Sequence, residues 1–384
     1  LRILGVGVEP SQGIRKGVVI DINSASQSIA RSIEKAERTS GYEINSALVS
    51  LAGSHVSSMN SRGVVGISGR VIDQEDVLRA LDSAKAVAIP HDREIIHVIQ
   101  RGFLVDGQDG IRQPVGMHGF RLEVEAHIIT ASASTTENLR KCVSMAGIEV
   151  SQFVLSPLAS AEAVLSETER TMGAAVVDLG GGTTDLAIYL NGDVWYTNVI
   201  NIGSNYITTD IAQGLRLPVD VAEEVKLHHG YAVLDEISEE ESFNVVPFSA
   251  EESTKVLRRD LVNIIEARAE EILSLVHQEI KRSGVSGLLP AGLILTGGGS
   301  QLPGMRKLAT QVTGLPARIA KPEKMVGLTD QISTPAFSTS VGLLQWAILM
   351  SETYQIGSER PGKGKRSEGE RTETFASWFK KLLP

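Results

Sequence analysis

Residues 176–189 read VVDLGGGTTDLAIY. The apolar residues on both sides predict two buried strands, and the residues between them predict a turn. Glycine has no Cβ, so the backbone N–H groups of such a turn can approach phosphate oxygens closely, and threonine adds hydroxyl donors. A bare triple glycine is more often an ordinary tight hairpin, but the two Asp residues that bracket this one favour a phosphate site. The predicted phosphate ligands are Gly180, Gly181, Gly182, Thr183, Thr184 and Asp185.

Asp178 stands at the predicted end of the first of these strands. A carboxylate in that position can hold Mg²⁺ through a water molecule or orient an attacking water. We therefore predict that Asp178 is the catalytic residue and also the contact to Mg²⁺ through water.

A second glycine turn occurs in residues 293–300, which read LILTGGGS. A buried strand that runs into bare glycine backbone and then a helix lets a flat base or ribose lie against the main chain. Such turns are common, and this one is neither a P-loop nor a GxGxxG fingerprint. The predicted nucleotide contacts in it are Gly297, Gly298, Gly299 and Ser300.

Glu223 and Lys226 are three residues apart on a predicted helix, and they therefore share one face. A solvated ion pair explains this spacing as well as a ligand-binding pair does.

Together, the two glycine turns resemble the second phosphate hairpin and the adenosine loop of actin-type ATPases. That resemblance implies a two-lobed α/β fold with ATP and Mg²⁺ bound between the lobes. In chaperone-like relatives, a pair similar to Glu223 and Lys226 contacts the ribose and the adenine. Helices of small residues cross between the lobes, and segments 156–163 and 340–344 fit this description, although plain buried helices explain them equally well.

Within this superfamily the chain resembles the FtsA family. The resemblance lies in a predicted α+β module at 58–130, with REIIHVI at 93–99 and PVGMHG at 114–119. It implies that this module is the family's inserted subdomain. The core of the first lobe would consist of 1–57, 131–172 and 333–356, and the core of the second lobe would consist of 173–205 and 285–332. Residues 206–284 would form a helical subdomain, which contains a long amphipathic helix predicted at 254–282. The family's first phosphate hairpin, an Asp-x-Gly-Thr/Ser turn, is expected before Leu1.

The C-terminal residues predict a linker and a short amphipathic helix. Residues 357–374 are rich in Gly, Ser, Glu, Lys and Arg, which is typical of a disordered linker. Residues 375–384 place apolar side chains at helical spacing, with two lysines toward the edge of the stripe, and such a helix lies in a membrane interface with anionic lipids. Docking of this helix on its own protein is the alternative. The predicted membrane contacts are Phe375, Trp378, Phe379, Lys380, Lys381, Leu382 and Leu383.

The composition narrows the function classes. With 384 residues, of which 42% are hydrophobic, the chain can form two or more domain cores. A formal net charge of -9 argues against general nucleic-acid binding. Cys142 is the only cysteine, so no intramolecular disulfide forms, and no thiolate metal cluster is possible.

The FtsA resemblance implies an ATP-binding cell-division protein that polymerises and anchors the FtsZ ring to the cytoplasmic membrane. It implies binding of the FtsZ C-terminal tail at 206–284, recruitment of later division proteins, and a peripheral position on the cytoplasmic face of the membrane at the division site. The glycine turns favour nucleotide binding, with at most slow ATPase activity as a switch on the polymer. Two alternatives stay open: a PilM-like pilus assembly protein, and a sugar kinase or phosphatase of the same fold.

Overall fold

The computed structural model describes residues 1–248 and 252–356, with side chains as far as Met350. The predicted linker at 357–374 and the predicted helix at 375–384 lie outside the described residues. The strands are β1 Arg2–Ile3, β2 Ile14–Arg15, β3 Val18–Val19, β4 Ser46–Leu51, β5 Ser57–Val71, β6 Arg93–Val105, β7 Gln108–Ile111, β8 His118–Ser132, β9 Glu149–Leu155, β10 Ala174–Leu179, β11 Thr184–Leu190, β12 Asp193–Ile200, β13 Ser242–Val245, β14 Thr254–Leu257, β15 Leu293–Thr296, β16 Ala317–Ile319 and β17 Val326–Gly327. The α-helices are α1 Ile22–Ser40, α2 Gln74–Lys85, α3 Ala133–Met145, α4 Ser156–Val164, α5 Glu167–Met172, α6 Asn205–Leu215, α7 Val219–His229, α8 Arg258–Arg282, α9 Met305–Thr313 and α10 Ser338–Ile356.

A five-stranded sheet in the order β12-β11-β10-β15-β16 is formed by the segments predicted as the second lobe core, 173–205 and 285–332. Its middle strand, β10, is buried along its whole length, because helices cover both faces of the sheet. Val177 packs with Leu261 and Ile265 of α8 on one face, whereas Val176 packs with Leu158 of α4 on the other. Strands β10 and β15 run parallel, so the segments that follow them emerge at the same edge of the sheet.

The segment predicted as an inserted α+β module forms an antiparallel sheet in the order β5-β8-β6-β7, packed on α2. Asp73 caps α2 by accepting a hydrogen bond from the Asp76 N–H, and the Asp76 side chain accepts one from the Asp73 N–H in return. A Cβ on Gly63 would lie 1.9 Å from the Ala80 carbonyl oxygen, so only glycine allows strand and helix to come this close.

The segment predicted as a helical subdomain, 206–284, also contains a hairpin of β13 and β14. The helix predicted at 254–282 therefore begins four residues later, at Arg258, because residues 254–257 pair with β13. Pairing with a partner strand outweighs the weak helical pattern of these four residues.

The two small-residue segments of the sequence, α4 and the start of α10, cross with their backbones in contact. A Cβ on Gly342 would lie 1.7 Å from the Ala159 carbonyl oxygen. Ser160 of α4 and Thr339 of α10 also share a hydrogen bond of 2.8 Å. Small residues on both helices are therefore required for this approach.

We expect Gly342→Ala to lower the free energy of unfolding by about 1–3 kcal/mol, because the added methyl group has no space between the helices. Chemical denaturation checks this, with Gly287→Ala as the control, since a Cβ on Gly287 meets nothing within 4 Å. Equal stability of the two variants would contradict the close crossing.

Candidate functional site

The turn at Gly180–Gly182 presents backbone N–H groups that the described protein leaves unused. The carbonyls of Gly180 and Gly181 accept hydrogen bonds of 2.9 Å from the N–H groups of Ser204 and Asn205, at the start of α6. In a trans peptide the C=O and the following N–H point in opposite directions, so the N–H groups of Gly181 and Gly182 point away from α6. Within residues 1–248 and 252–356, the N–H groups of 181–183 meet no hydrogen-bond acceptor. Such consecutive free N–H groups form an anion-binding concavity.

The threonines of this turn differ in what their hydroxyls do. Thr184 lies at the start of β11, is fully buried, and donates its hydroxyl to the Ile202 carbonyl at 2.8 Å. Thr183 has its hydroxyl 3.5 Å from Asp185 Oδ2. The Thr184 hydroxyl therefore fixes the base of the turn, and a role for either hydroxyl toward a ligand stays a prediction.

The second glycine turn packs directly against the first. Asp178 of β10 is the register partner of Thr296 of β15, so the two turns leave adjacent strands side by side. Gly297 has φ +81°, and a Cβ there would lie 2.3 Å from Asp178 Oδ1. Ser300 is fully buried and donates its hydroxyl to the Gly297 carbonyl at 2.7 Å, which closes the turn.

A cleft of about 410 Å³ opens beside the two turns. Its size is in the range of small-molecule sites. All of its lining residues come from the second lobe and the segment 206–284. They are Gly181, Ser204, Ile207, Glu223, Lys226, Leu227, Gly298, Gly299, Gln301, Leu302 and Pro303. Five predicted site residues thus line one cleft, and the other predicted residues of the two turns are not among its lining residues.

Glu223 and Lys226 form an ion pair of 2.6 Å on α7. Lys226 is only 7% exposed, so the lysine of this ion pair is buried and the pair is not a fully solvated one. Its ammonium group also donates to the Thr208 hydroxyl at 2.9 Å. The pair therefore forms a fixed polar wall of the cleft, and its contact with a nucleotide stays a prediction.

Two carboxylates face each other behind the first turn. Asp178 and Asp185 are directly opposed in the antiparallel pair of β10 and β11. Asp178 accepts hydrogen bonds from the hydroxyls of Ser160 and Thr339, the latter at 2.9 Å. Burial raises the pKa of Asp178, and these two hydrogen bonds oppose the shift. Burial, together with the neighbouring Asp178, raises the pKa of Asp185 well above its usual value.

These carboxylates fit a hydrated cation better than a directly bound metal. Asp185 Oδ1 is buried and has no hydrogen-bond partner among the described residues. In the same part of the chain, no group of three or more His, Cys, Asp or Glu side chains is arranged to hold a metal ion. A divalent cation there would take most of its ligands from water and phosphate oxygens.

The raised pKa of Asp185 predicts a pH-dependent cost in stability. A carboxyl group whose pKa is higher in the folded chain than its unfolded value near 3.8 binds its proton more tightly when folded. Its contribution to stability is therefore present at low pH and is lost as the pH rises from the unfolded pKa through the folded one, at about 1.4 kcal/mol for each pH unit between them. We expect Asp185→Asn to unfold at a higher temperature than the unsubstituted chain at pH 7, with the gain disappearing near pH 4.

Thermal unfolding at the two pH values checks this prediction. The exposed Asp330 supplies a control, Asp330→Asn, that removes the same charge without relieving burial. A gain for Asp185→Asn that does not change with pH would contradict the assignment of the raised pKa.

Sequence reasoning missed one basic residue beside the first turn. Lys16 forms the turn between β2 and β3, and a Cβ on Gly182 would lie 3.2 Å from its Cα. The Lys16-Gly17 dipeptide between two short apolar segments is a sequence pattern that indicates a hairpin turn. No sequence pattern indicates that this turn contacts Gly182, because the two lie more than 160 residues apart in the chain.

Family comparisons agree with the sequence pattern. The family model described as "Cell division protein FtsA" matches residues 175–342, and the model of the SHS2 domain inserted in FTSA matches residues 53–130. Cell division protein FtsA of Borreliella burgdorferi is 44% identical over 385 residues, which cover 99% of this chain and 93% of the relative. FtsA of Pseudomonas aeruginosa is 40% identical over 348 residues (91% and 84%), and FtsA of Escherichia coli K12 is 36% identical over 390 residues (100% and 90%).

Solved structures share the fold at low sequence identity. The PilM-PilN type IV pilus biogenesis complex matches with a TM-score of 0.61 and 16% identity, over 88% of this chain and 89% of that one. MreB5 of Spiroplasma citri bound to ADP matches with a TM-score of 0.56 and 16% identity, over 91% and 81%. At this identity the matches show the fold alone, and they confirm the predicted actin-like ATPase fold. The inserted α+β subdomain is confirmed by the SHS2 match.

Among the described residues, none of the helices combines the length and the apolar composition that a membrane span requires. The identities of 36–44% over most of the chain favour the FtsA family over the PilM-like and sugar-kinase alternatives. The chain therefore belongs to the FtsA family of actin-like cell division proteins.

Proposed function

We propose that this chain binds ATP with its phosphates on the free N–H groups of residues 181–183 and its adenosine in the adjoining cleft. The main support for this proposal is the set of consecutive N–H groups that have no acceptor among the described residues. Backbone donors that are already oriented can bind a phosphate without a further loss of backbone entropy. The cleft volume of about 410 Å³ suits an adenosine. MreB5, which shares the fold, was solved with ADP bound, and this lends further support.

Asp178 and Asp185 would hold Mg²⁺ through water molecules at the edge of the phosphates. Bound Mg²⁺ would neutralise part of the charge that develops on the phosphate oxygens. The unpartnered Oδ1 of Asp185 and the opposed carboxylates support this placement, because a nearby cation would favour their ionised forms. Asp178 would orient the attacking water, and slow hydrolysis would act as a switch on the polymer state.

The partners we propose are further copies of the chain, other division proteins and the C-terminal tail of FtsZ, which would dock on 206–284. This segment has a groove of about 330 Å³ between α7 and β13, partly lined by Val225, His229 and Val245. Val246, which also lines this groove, is 49% exposed, and Phe248, two residues further along the chain, is 63% exposed. Exposed apolar side chains beside a groove support a peptide-docking surface.

We further propose a peripheral position on the cytoplasmic face of the membrane at the division site. Residues 375–384 would supply the membrane contact through their apolar stripe. Residues 360–384 carry seven basic and three acidic side chains, which supports attraction to anionic lipids. One tail would bind weakly, and many tails on one polymer would bind well, since each further attachment is intramolecular.

Isothermal titration of the full-length protein with ATP tests the proposed function. We expect saturable binding that requires Mg²⁺, and hydrolysis that hexoses or other small acceptors do not accelerate. Absence of ATP binding would contradict the nucleotide site. Rapid turnover stimulated by a small acceptor would instead favour a kinase of the same fold.

A further inference from the structure

The turn at Lys16 and Gly17 brings a second segment of the chain against the triple-glycine turn. Lys16 has φ +52°, a left-handed conformation that costs a non-glycine residue about 1–2 kcal/mol. Gly17 packs so closely that a Cβ there would lie 2.2 Å from the Ala52 carbonyl oxygen, and a Cβ on Gly182 would lie 3.2 Å from the Cα of Lys16. The position of Lys16 is therefore fixed by the two-residue hairpin turn between β2 and β3, in which both residues have a positive φ.

The Lys16 side chain reaches toward the start of α6. Its ammonium group donates to the Tyr206 hydroxyl and lies 4.8 Å from the centre of the Tyr206 ring. Tyr206 directly follows Asn205, whose N–H holds the Gly181 carbonyl. The ammonium group is thus held by the same helix that fixes the carbonyls of the triple-glycine turn.

The Lys16 charge also lacks an acidic partner. Among residues 1–248 and 252–356, no carboxylate oxygen forms an ion pair with Lys16, whereas Lys226 is paired with Glu223 at 2.6 Å. A nucleotide triphosphate brings more negative charge than backbone N–H groups neutralise, and a lysine contributes as a point charge to phosphate. Of the two lysines near the turns, only Lys16 has its charge uncompensated by a carboxylate.

We propose that Lys16 contacts the terminal phosphate of bound ATP, exchanging its hydrogen bond with Tyr206 for one with a phosphate oxygen, and that it makes the site prefer ATP over ADP. This inference rests on the proposed nucleotide site. ADP lacks the terminal phosphate, so the lysine would remain on Tyr206 in the ADP complex.

The test compares the affinities for ATP and ADP of the full-length protein, Lys16→Gln and Arg15→Gln, measured by isothermal titration in Mg²⁺. Arg15 is the adjacent, exposed basic residue, so its variant controls for the loss of one positive charge near the site. We expect Lys16→Gln to weaken ATP binding about ten- to a hundredfold, as for loss of a hydrogen bond between charged groups, with ADP binding unchanged. Arg15→Gln should match the unsubstituted protein, and Lys16→Arg should recover part of the ATP preference.

Each other outcome has a distinct meaning. An equal loss for ATP and ADP would assign Lys16 to the structure of the turn and overturn the inference. An unsubstituted protein that binds both nucleotides equally would also overturn it while leaving the proposed function standing. A protein that binds neither nucleotide would overturn the proposed function, and this inference with it.

Discussion

Gly182→Val is expected to weaken ATP binding at least about a hundredfold while the chain remains folded. The valine side chain would cover the N–H groups of residues 182 and 183 and would press on Lys16, whose Cα lies 3.2 Å from the position of the added Cβ. Two hydrogen bonds to a charged phosphate are worth about 1.5–3 kcal/mol each, and about 1.4 kcal/mol is a factor of ten in affinity. Isothermal titration with ATP and Mg²⁺ measures the change.

Gly66→Val is the matched control for this variant. A Cβ on Gly66 meets nothing within 4 Å, and the residue lies on β5 of the inserted subdomain, away from both glycine turns. Circular dichroism of both variants verifies that they are folded. ATP affinity of Gly182→Val within about threefold of the control would remove the turn from the phosphate site.

Deletion of residues 375–384 is expected to abolish sedimentation of the protein with liposomes that contain anionic lipid. Full burial of an apolar side chain contributes about 1.5–3 kcal/mol, whereas ordering a helix costs about 1–2 kcal/mol per residue in backbone entropy. A single tail is therefore marginal, and the loss of its apolar stripe leaves no compensating contact. Co-sedimentation at increasing protein concentration measures this, and binding by the intact protein should rise steeply once it polymerises.

Two point variants with the same change in charge supply the control. Trp378→Asp places a carboxylate on the predicted apolar stripe, whereas Ser377→Asp places it on the opposite side of the predicted helix. We expect the first to lose most of the liposome binding and the second to keep most of it. Equal behaviour of the two variants would mean that no apolar face enters the membrane, and unchanged sedimentation of the deletion would refute the anchor entirely.

Much of the second lobe could be predicted from sequence because its signals are local. The strands β10, β11 and β15 are continuous apolar runs next to glycine turns, and such runs have few alternatives as buried strands. The proximity of the two turns was predicted from the resemblance to actin-type ATPases. The parallel register of Asp178 with Thr296 gives that proximity its physical basis.

Features that depend on contacts distant in the sequence could not be predicted. The direction of the Gly181 and Gly182 N–H groups is set by Ser204 and Asn205, which hold the carbonyls of the turn from a separate helix. The same limit applies to Lys16, which meets Gly182 only in the folded chain. Strand β14 was absorbed into the helix predicted at 254–282 because its four residues are too few to show a period of two clearly.

The binding roles of the predicted site residues stay predictions, and the fold shows which of their polar groups are already bonded within the chain. Glu223 and Lys226 looked equally like a surface ion pair in the sequence, but Lys226 is buried in the wall of the cleft. Thr184 and Ser300 were predicted as ligands, but the Thr184 hydroxyl donates to the Ile202 carbonyl and the Ser300 hydroxyl to the Gly297 carbonyl. The main chain of the turns, more than these hydroxyls, therefore carries the proposed binding.

A crystal structure of the full-length protein with Mg²⁺ and a non-hydrolysable ATP analogue tests the central proposal most directly. We expect phosphate oxygens about 2.7–3.1 Å from the backbone nitrogens of Gly181, Gly182 and Thr183, with the adenosine beside Gly298 and Gly299. An analogue bound elsewhere, or one whose phosphates leave those three N–H groups without a contact, would contradict it.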